Sequence, residues 1–436
     1  MSKRIIIAGA GHGGLIAAAK LAKAGYIVDL YEQNLIADLG HDWEDRFTFE
    51  TVLNATRQTS MPEGTWRYRG DCKFVSPSHR TEVLIKYNEN TRQKVMWRKS
   101  LVQILVDYAK QCGVNFHENV RIEFPIVENN RVVGIKTDKG DFTADLIVDA
   151  LGVFSPLRTN LPESFNIERN VKRGDVFYAY RAYFDVCEDV KPEYPFEVYL
   201  YHECEQGLSW FLTNDDCCDV LIGRIDPVDD NKVEEQLKIF KRNHPQLGSK
   251  ILHGGCFGII PVRRPLTVMV ANGYAAVGDS AFMTTPMNGM GIDLSIQAGE
   301  LLAYTVINSK TQNFAVDDLW EYNREFHRLY GGDTAKNEGL KNALLSLPAE
   351  GVDFLFDNAV IQSSDLAGAG RNTNLKALLG KFVRGMKNPP YFFAIIKGLI
   401  KGAKAAKTYK RAPKVYNRKD VAAWQSKVES YTVKIL

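Results

Sequence analysis

The chain has 436 residues, more than one hydrophobic core usually holds, so two or three domains are expected. Hydrophobic content of 45%, charged content of 25% and a net charge of +3 are those of an ordinary soluble protein. Seven cysteines without a CxxC pair exclude a disulfide scaffold and offer no zinc spacing, so no metal is expected and a reducing, cytoplasmic setting is the simpler inference. No stretch offers the roughly 18 uninterrupted apolar residues of a membrane span.

In chain order, residues 4–8 (RIIIA) read as a buried parallel strand, 14–24 as a helix, and YIVDLYE as a second strand, which makes a βαβ opening. Between the first strand and the helix, GAGHGG places Gly9, Gly11 and Gly14 in GxGxxG register. That spacing permits a tight turn, close backbone approach to a pyrophosphate and close helix–strand packing, with the helix N-terminus facing the negative charge. Glu32 ends the second strand where an acidic residue binds a ribose hydroxyl. The motif leaves NAD and FAD open, and its plainer reading is a structural turn.

The stretch GHDWEDRF (40–47) crowds His41, Asp42, Trp43, Glu44, Asp45 and Arg46 into one loop or helix start. His41 is a candidate proton donor because imidazole titrates near neutrality; the plainer alternative is a solvated loop. Residues 97–112 predict a helix with Gly113 at its C-terminus, followed by a three-stranded antiparallel meander and a returning strand, DLIVDALG. From about 174 to 226 the pattern is strand, rich in aromatic and β-branched residues, as the wall of an apolar pocket would be. Cys204, Cys217 and Cys218 fall there and read as ordinary buried thiols. Helix is expected over 232–243.

A second glycine-rich stretch, VGDSAFMTTPMNGMGID (277–293), reads as a strand ending in Asp279. Pro286, Gly289 and Gly291 then lead into a helix. An Asp there can accept from a ribityl hydroxyl, and glycines at a helix start bring N–H groups near an electron-rich ring. A single dinucleotide unit has no need of this second station, whereas FAD does.

Three motifs in order, GxGxxG, Asp149-Ala150-Leu151-Gly152 with Ser155 and Arg158, and Gly278-Asp279…Pro286…Gly289-Met290-Gly291-Ile292, resemble the FAD-dependent oxidoreductases of the p-hydroxybenzoate hydroxylase fold, nearest the geranylgeranyl reductase branch. The resemblance covers about residues 1–300. It implies that Arg98 contacts the FAD pyrophosphate region, that Arg46 contacts the cofactor, and that Gly289–Gly291 lie beneath the flavin. Hydroxylases of this fold usually carry a His shortly after the late Gly-Asp, where this chain has Phe282. Leu151 stands where many hydroxylases have an Asp that contacts both FAD and NAD(P)H, so the electron donor, NAD(P)H or another reductant, stays open. GLSWFLTNDDCCDVLIGR echoes the reductase pocket signature through Trp210, Phe211 and Gly223 but lacks its Pro and second Gly; Trp210 is either a pocket residue or simple core packing.

The expected architecture is α/β: a Rossmann-like FAD-binding domain (1–165 and 256–335), a mostly antiparallel substrate-binding domain (166–255), and a helical basic C-terminal region (336–436). From Arg371 to Lys419 there is no Asp or Glu. Such a block fits either a peripheral contact with an anionic membrane or a helical pair packed on the core with solvated lysines. No nucleic-acid module accompanies it. The expected activity is reduction or dehydrogenation of a carbon–carbon bond in a largely apolar, isoprenoid-like or lipid-like substrate. The alternatives are a flavin monooxygenase acting on an aromatic or polyketide-like compound, and a flavin-containing membrane-associated binding protein.

Overall fold

The computed structural model describes residues 3–366 and 375–436. Its centre is a six-stranded sheet in the order Val270–Ala271, Tyr274–Ala276, Leu146–Asp149, Arg4–Ala8, Ile27–Tyr31, Asn115–His117. The last five strands run parallel, and only Val270–Ala271 is antiparallel. The inner strands are apolar on both faces, as helix-covered parallel strands must be. The register sets Ala8 beside Asp149 and Tyr31, and Asp149 beside Ala276. All three motifs therefore leave the sheet at one edge, the carboxyl end, where ligands bind in open α/β sheets.

Helix His12–Lys23 lies on this sheet against helix Ile292–Ile307. The two approach at backbone distance: a Cβ on Gly299 would stand 2.3 Å from Gly13 O, and one on Gly13 2.6 Å from Ser295 O. No side chain larger than hydrogen fits between them.

The second sheet has seven strands, in the order Leu247–Pro261, Val176–Val186, Cys218–Arg224, Gly207–Thr213, Phe196–Leu200, Cys72–Val75, Glu82–Ile85. It is antiparallel except where Phe196–Leu200 meets Cys72–Val75. Alternation gives it two different faces. Tyr180, Phe211, Val220 and Ile222 pack under helix Asp230–Asn243 through Val233 and Phe240. The other face carries Arg181, Phe196, Trp210 and Asp219.

The expected division of the chain at 166 and 255 differs from this arrangement in two places. Strands Cys72–Val75 and Glu82–Ile85 leave the first segment to join the seven-stranded sheet, and strand Leu247–Pro261 runs past residue 255. A sheet edge is completed by whichever chain segment reaches it, whatever its place in sequence. Segment 40–47 also differs from a loop or helix start: Glu44–Arg46 is a strand, paired with Gln93–Trp97, which pairs in turn with Trp66–Arg69.

The C-terminal region is tied to the core. Helix Pro389–Tyr409 packs on Gly332–Leu345, where a Cβ at Gly339 would lie 2.6 Å from Gly402 Cα. Tyr409 donates its hydroxyl to Pro265 O at 2.7 Å, and Trp424 Nε1 donates to Thr408 O at 2.8 Å. Residues 371–374 of the basic block lie outside the described residues. No described helix is long and apolar enough to cross a membrane.

Candidate functional site: a dinucleotide cleft facing an aromatic sheet

The turn Gly9–Gly14 needs its glycines for space. A Cβ on Gly9, whose φ is +89°, would meet Ala150 O at 2.8 Å, and one on Gly14 would meet the Ala150 Cβ at 2.7 Å. Helix His12–Lys23 starts at Gly11 without a side-chain cap, which leaves its first-turn N–H groups for a ligand. Glu32 is buried; its Oε2 accepts from Ala10 N and its Oε1 from Asn34 N, each at 3.0 Å. The carboxylate thus sits at the base of the turn.

Beside the turn opens a cleft of about 580 Å³, lined by Ala10, His12, Asn34, Gly40, His41 and Arg98 among others. Arg98 forms a two-point pair with Asp45, Nη2 to Oδ1 at 2.9 Å, which holds the guanidinium at the cleft wall. His12 escaped the sequence reading, although its place inside GAGHGG could have exposed it. Its Nε2 is buried and has no hydrogen-bond partner, and burial with the Arg98 charge lowers its pKa to about 4. His41 stacks on Trp43 with centroids 4.1 Å apart; burial and Arg98 likewise lower it to about 4. It lines this cleft as a neutral ring. Arg46 is exposed and faces away from the Asp45–Arg98 pair, because the two residues alternate on one strand.

The late motif lies at the same edge of the sheet, where the second station is expected. The strand ends at Ala276, and Gly278–Ala281 is a single 3₁₀ turn rather than more strand. Asp279 lies in that turn, and no side-chain partner occupies its carboxylate among the described residues. Burial raises its pKa to about 6, with Arg98 the cation that opposes the rise. Pro286 is buried, Thr285 N–H donates to Met290 O at 2.8 Å, and helix Ile292–Ile307 begins after Gly291 without a side-chain cap. Its first-turn N–H groups are therefore free to face a ring that gains negative charge.

Asp149 of the middle motif does different work. It is fully buried and accepts from Ser155 Oγ at 2.5 Å, Tyr274 Oη at 2.7 Å, Ser280 Oγ at 2.9 Å and Leu151 N at 3.1 Å. It ties the middle motif to the late one and to the strand that carries Tyr274. Arg158 is buried too, giving its hydrogen bonds to the carbonyls of Val153, Glu168 and Arg169. Phe282, in the left-handed region at φ +57°, is wedged between the guanidiniums of Arg158 at 5.0 Å and Arg263 at 4.8 Å. Its ring is a packing element, fully buried.

Trp210 is half-buried on the face of the seven-stranded sheet opposite helix Asp230–Asn243. Its Nε1 donates to Asp219 Oδ1 at 3.2 Å, and Asp219 is also held by Arg181 through Nε at 2.9 Å and Nη2 at 2.7 Å. Phe74, Tyr87 and Leu208 stand half-buried around it. All seven cysteines are free thiols; Cys217 and Cys218 are buried as expected, but Cys204 is exposed in a turn. On the far side, His79, His202 and Glu203 bring ligand atoms within 4.8 Å of one another, a grouping that the sequence did not announce because His79 is distant in the chain from the adjacent His202 and Glu203.

The residues fit FAD: a glycine cradle at each end, an orphaned imidazole nitrogen between them, and a free carboxylate at the second station. Comparison with known proteins agrees. Residues 3–329 match the family described as FAD binding domain. The chain is 23% identical over 347 residues to a digeranylgeranylglycerophospholipid reductase of Sulfolobus acidocaldarius, covering 75% of each chain. It shares its fold with a geranylgeranyl bacteriochlorophyll reductase-like protein of Thermoplasma acidophilum, at TM-score 0.72 and 18% identity over 91% of this chain and 99% of that one. A probable FAD-dependent monooxygenase of Pseudomonas aeruginosa, pqsL, has the same fold at TM-score 0.56 and 16% identity over 79% of this chain and 97% of that one. With three quarters of its length matched, the chain belongs to the FAD binding domain family.

Proposed function

We propose that the protein is an FAD-dependent oxidoreductase that reduces carbon–carbon double bonds of an isoprenoid-like lipid. The observation that carries this reading is the half-buried aromatic and aliphatic face of Phe74, Tyr87, Leu208 and Trp210, a surface suited to an apolar chain. The reductase named in Sulfolobus acidocaldarius supports the same substrate class. The flavin supplies two-electron transfer when bound. The chain's own part is to hold and orient. Gly9, Gly11, Gly14, Glu32, His12 and Arg98 would take the dinucleotide end, Asp279 the ribityl chain, and Gly289–Ile292 the ring. His41 would line the dinucleotide end and Trp210 the substrate.

The test is anaerobic. Chemically reduced protein mixed with a geranylgeranyl lipid should regain its oxidised flavin spectrum while the lipid gains two hydrogens per reduced bond. Reoxidation only in air, with an oxygen atom appearing in the ligand, would favour a monooxygenase instead.

Peripheral association with an anionic membrane belongs to the same reading. Phe382, Val383, Phe393 and Ile400 are exposed, in a segment that includes Lys397, Lys401 and Lys404. Because Tyr409 and Trp424 anchor this region, substitution is a better test than truncation. Phe393→Ser with Ile400→Ser should abolish flotation with anionic vesicles while FAD stays bound; unchanged flotation removes the membrane from the proposal.

A further inference from the structure

Strand pairing puts Glu44, Arg46, Arg67, Arg69 and Gln93 on one face of the small three-stranded sheet, since Arg46 and Arg67 both oppose Val95 and Arg69 opposes Gln93. The carboxylates near this face are already engaged. Glu44 holds Arg67 at 2.7 Å, Asp216 holds it at 2.8 Å, and Asp219 is shared by Arg181 and Trp210. Arg69 is left over. Only 9% of it is exposed, yet among the described residues it has no carboxylate partner and no side-chain hydrogen bond, and its Nε is orphaned. It rests over the Phe196 ring at 4.6 Å and near Trp210 at 5.9 Å, while Arg181 stands over the same Trp210 at 4.9 Å.

A buried cation beside a second cation, whose nearest carboxylates, Asp219 and Glu44, are engaged by other arginines, is an under-compensated charge. Burial and the Arg181 charge accordingly depress its pKa. Chemistry that would compensate it converges nearby. Tyr87 accepts from Gln93 Nε2 at 2.7 Å, so its own proton is free to be donated. Burial, and next the Cys72 thiol, push that phenol up to about 12 against the pull of Arg46 and Arg69, so it stays protonated near neutral pH. Arg46 likewise has no ion-pair partner among the described residues. Two guanidiniums and a phenol exceed what one carboxylate can use and match a phosphate monoester.

We infer that Arg69, with Arg46 and Tyr87, binds the phosphate group at the polar end of an otherwise apolar substrate. The aromatic face around Trp210 takes the first part of its chain. This rests on the substrate class proposed above and names its charged end. The site is distinct from the dinucleotide cleft: Arg98 reaches that cleft through Asp45, which lies on the opposite face of the same small sheet.

The experiment uses FAD-loaded protein, titrated with geranylgeranyl monophosphate, geranylgeraniol, dodecyl phosphate and inorganic phosphate, and followed by flavin absorbance and thermal shift. Wild type should prefer each phosphate-bearing chain over geranylgeraniol by about tenfold or more. Arg69→Met should lose that preference while still binding geranylgeraniol and melting no lower than wild type; Arg69→Lys should restore part of the preference. Equal affinity for the alcohol and the phosphate in wild type overturns the inference, as does an undiminished preference in Arg69→Met. Inorganic phosphate binding as tightly as the alkyl phosphates would mark a free-phosphate site and overturn it too. Binding of dodecyl phosphate with rejection of both isoprenoids would keep the phosphate subsite and defeat the isoprenoid reading alone.

Discussion

The Ser280 hydroxyl donates to Asp149 Oδ1 at 2.9 Å and accepts from Gly152 N at 2.9 Å. Two motifs 131 residues apart are thereby locked together inside the core. Asp149→Ala would leave three hydroxyls and an N–H without their acceptor in a fully buried site. We expect a loss of about 3–5 kcal/mol in denaturant unfolding, with FAD retention failing in parallel. Ser280→Ala should cost only about 1–2 kcal/mol. Comparable small effects from both substitutions would show that Asp149 does not brace the motifs.

Asp279 gives a pH signature. Its pKa in the folded FAD-free protein is about 6, above the usual carboxylate value of about 3.9. The folded state therefore holds a proton that the unfolded state releases, and the stabilisation is complete below about pH 4. It is lost as pH rises through 6. Urea midpoints of FAD-free protein should show this fall, worth about 1–2 kcal/mol given the partial exposure of the side chain. Asp279→Asn should flatten that component; a wild-type slope that survives in the variant belongs to another group.

His12 should make FAD binding pH-dependent, where a permanently charged site would not. The ring is neutral in the free protein, with a pKa near 4. A pyrophosphate beside it would favour the protonated form and raise that value, so binding would take up a proton. FAD affinity measured by flavin fluorescence should strengthen as pH falls from 7 to 5, and His12→Gln should remove the trend. A flat wild-type profile over that window would separate His12 from the pyrophosphate.

Gly13→Ala tests the contact between helices His12–Lys23 and Ile292–Ile307. Its Cβ would meet Ser295 O and Val277 Cγ2, both at 2.6 Å. Forced separation of two packed helices should cost about 1–3 kcal/mol and reduce the FAD-loaded fraction on purification. Gly299→Ala should act alike, and the double variant should lose less than the sum, since one displacement relieves both clashes. Full additivity would mean the two glycines do not share an interface.

The sequence made some of this legible and hid the rest for physical reasons. GAGHGG and Glu32 were readable because the βαβ unit places a turn, a helix start and a strand end at fixed spacing. Strands Glu44–Arg46, Trp66–Arg69 and Gln93–Trp97 were not, because stretches such as WRYR carry arginines where a strand pattern expects apolar residues. The residues that obscure the strands are those that form the charged face. The packing role of Phe282 was hidden as well: its ring lies between Arg158 and Arg263. Nothing local to Phe282 in sequence reveals that Arg158 and Arg263 will close on it.

The backbone contact of Gly13 with Gly299 also orders events during synthesis. Helix His12–Lys23 leaves the ribosome early, but the surface that covers it follows after nearly 290 further residues, roughly 15–60 s later at ordinary elongation rates. For that interval its glycine-lined flank is open to solvent and to other nascent chains. With FAD placed as proposed, the cofactor cannot lock the nascent N-terminal half in place, because residues 278–292 are still unmade. FAD capture is thus a late event that closes the unit once both ends are present, and flavin shortage during expression should leave the N-terminal half the first part taken by proteases.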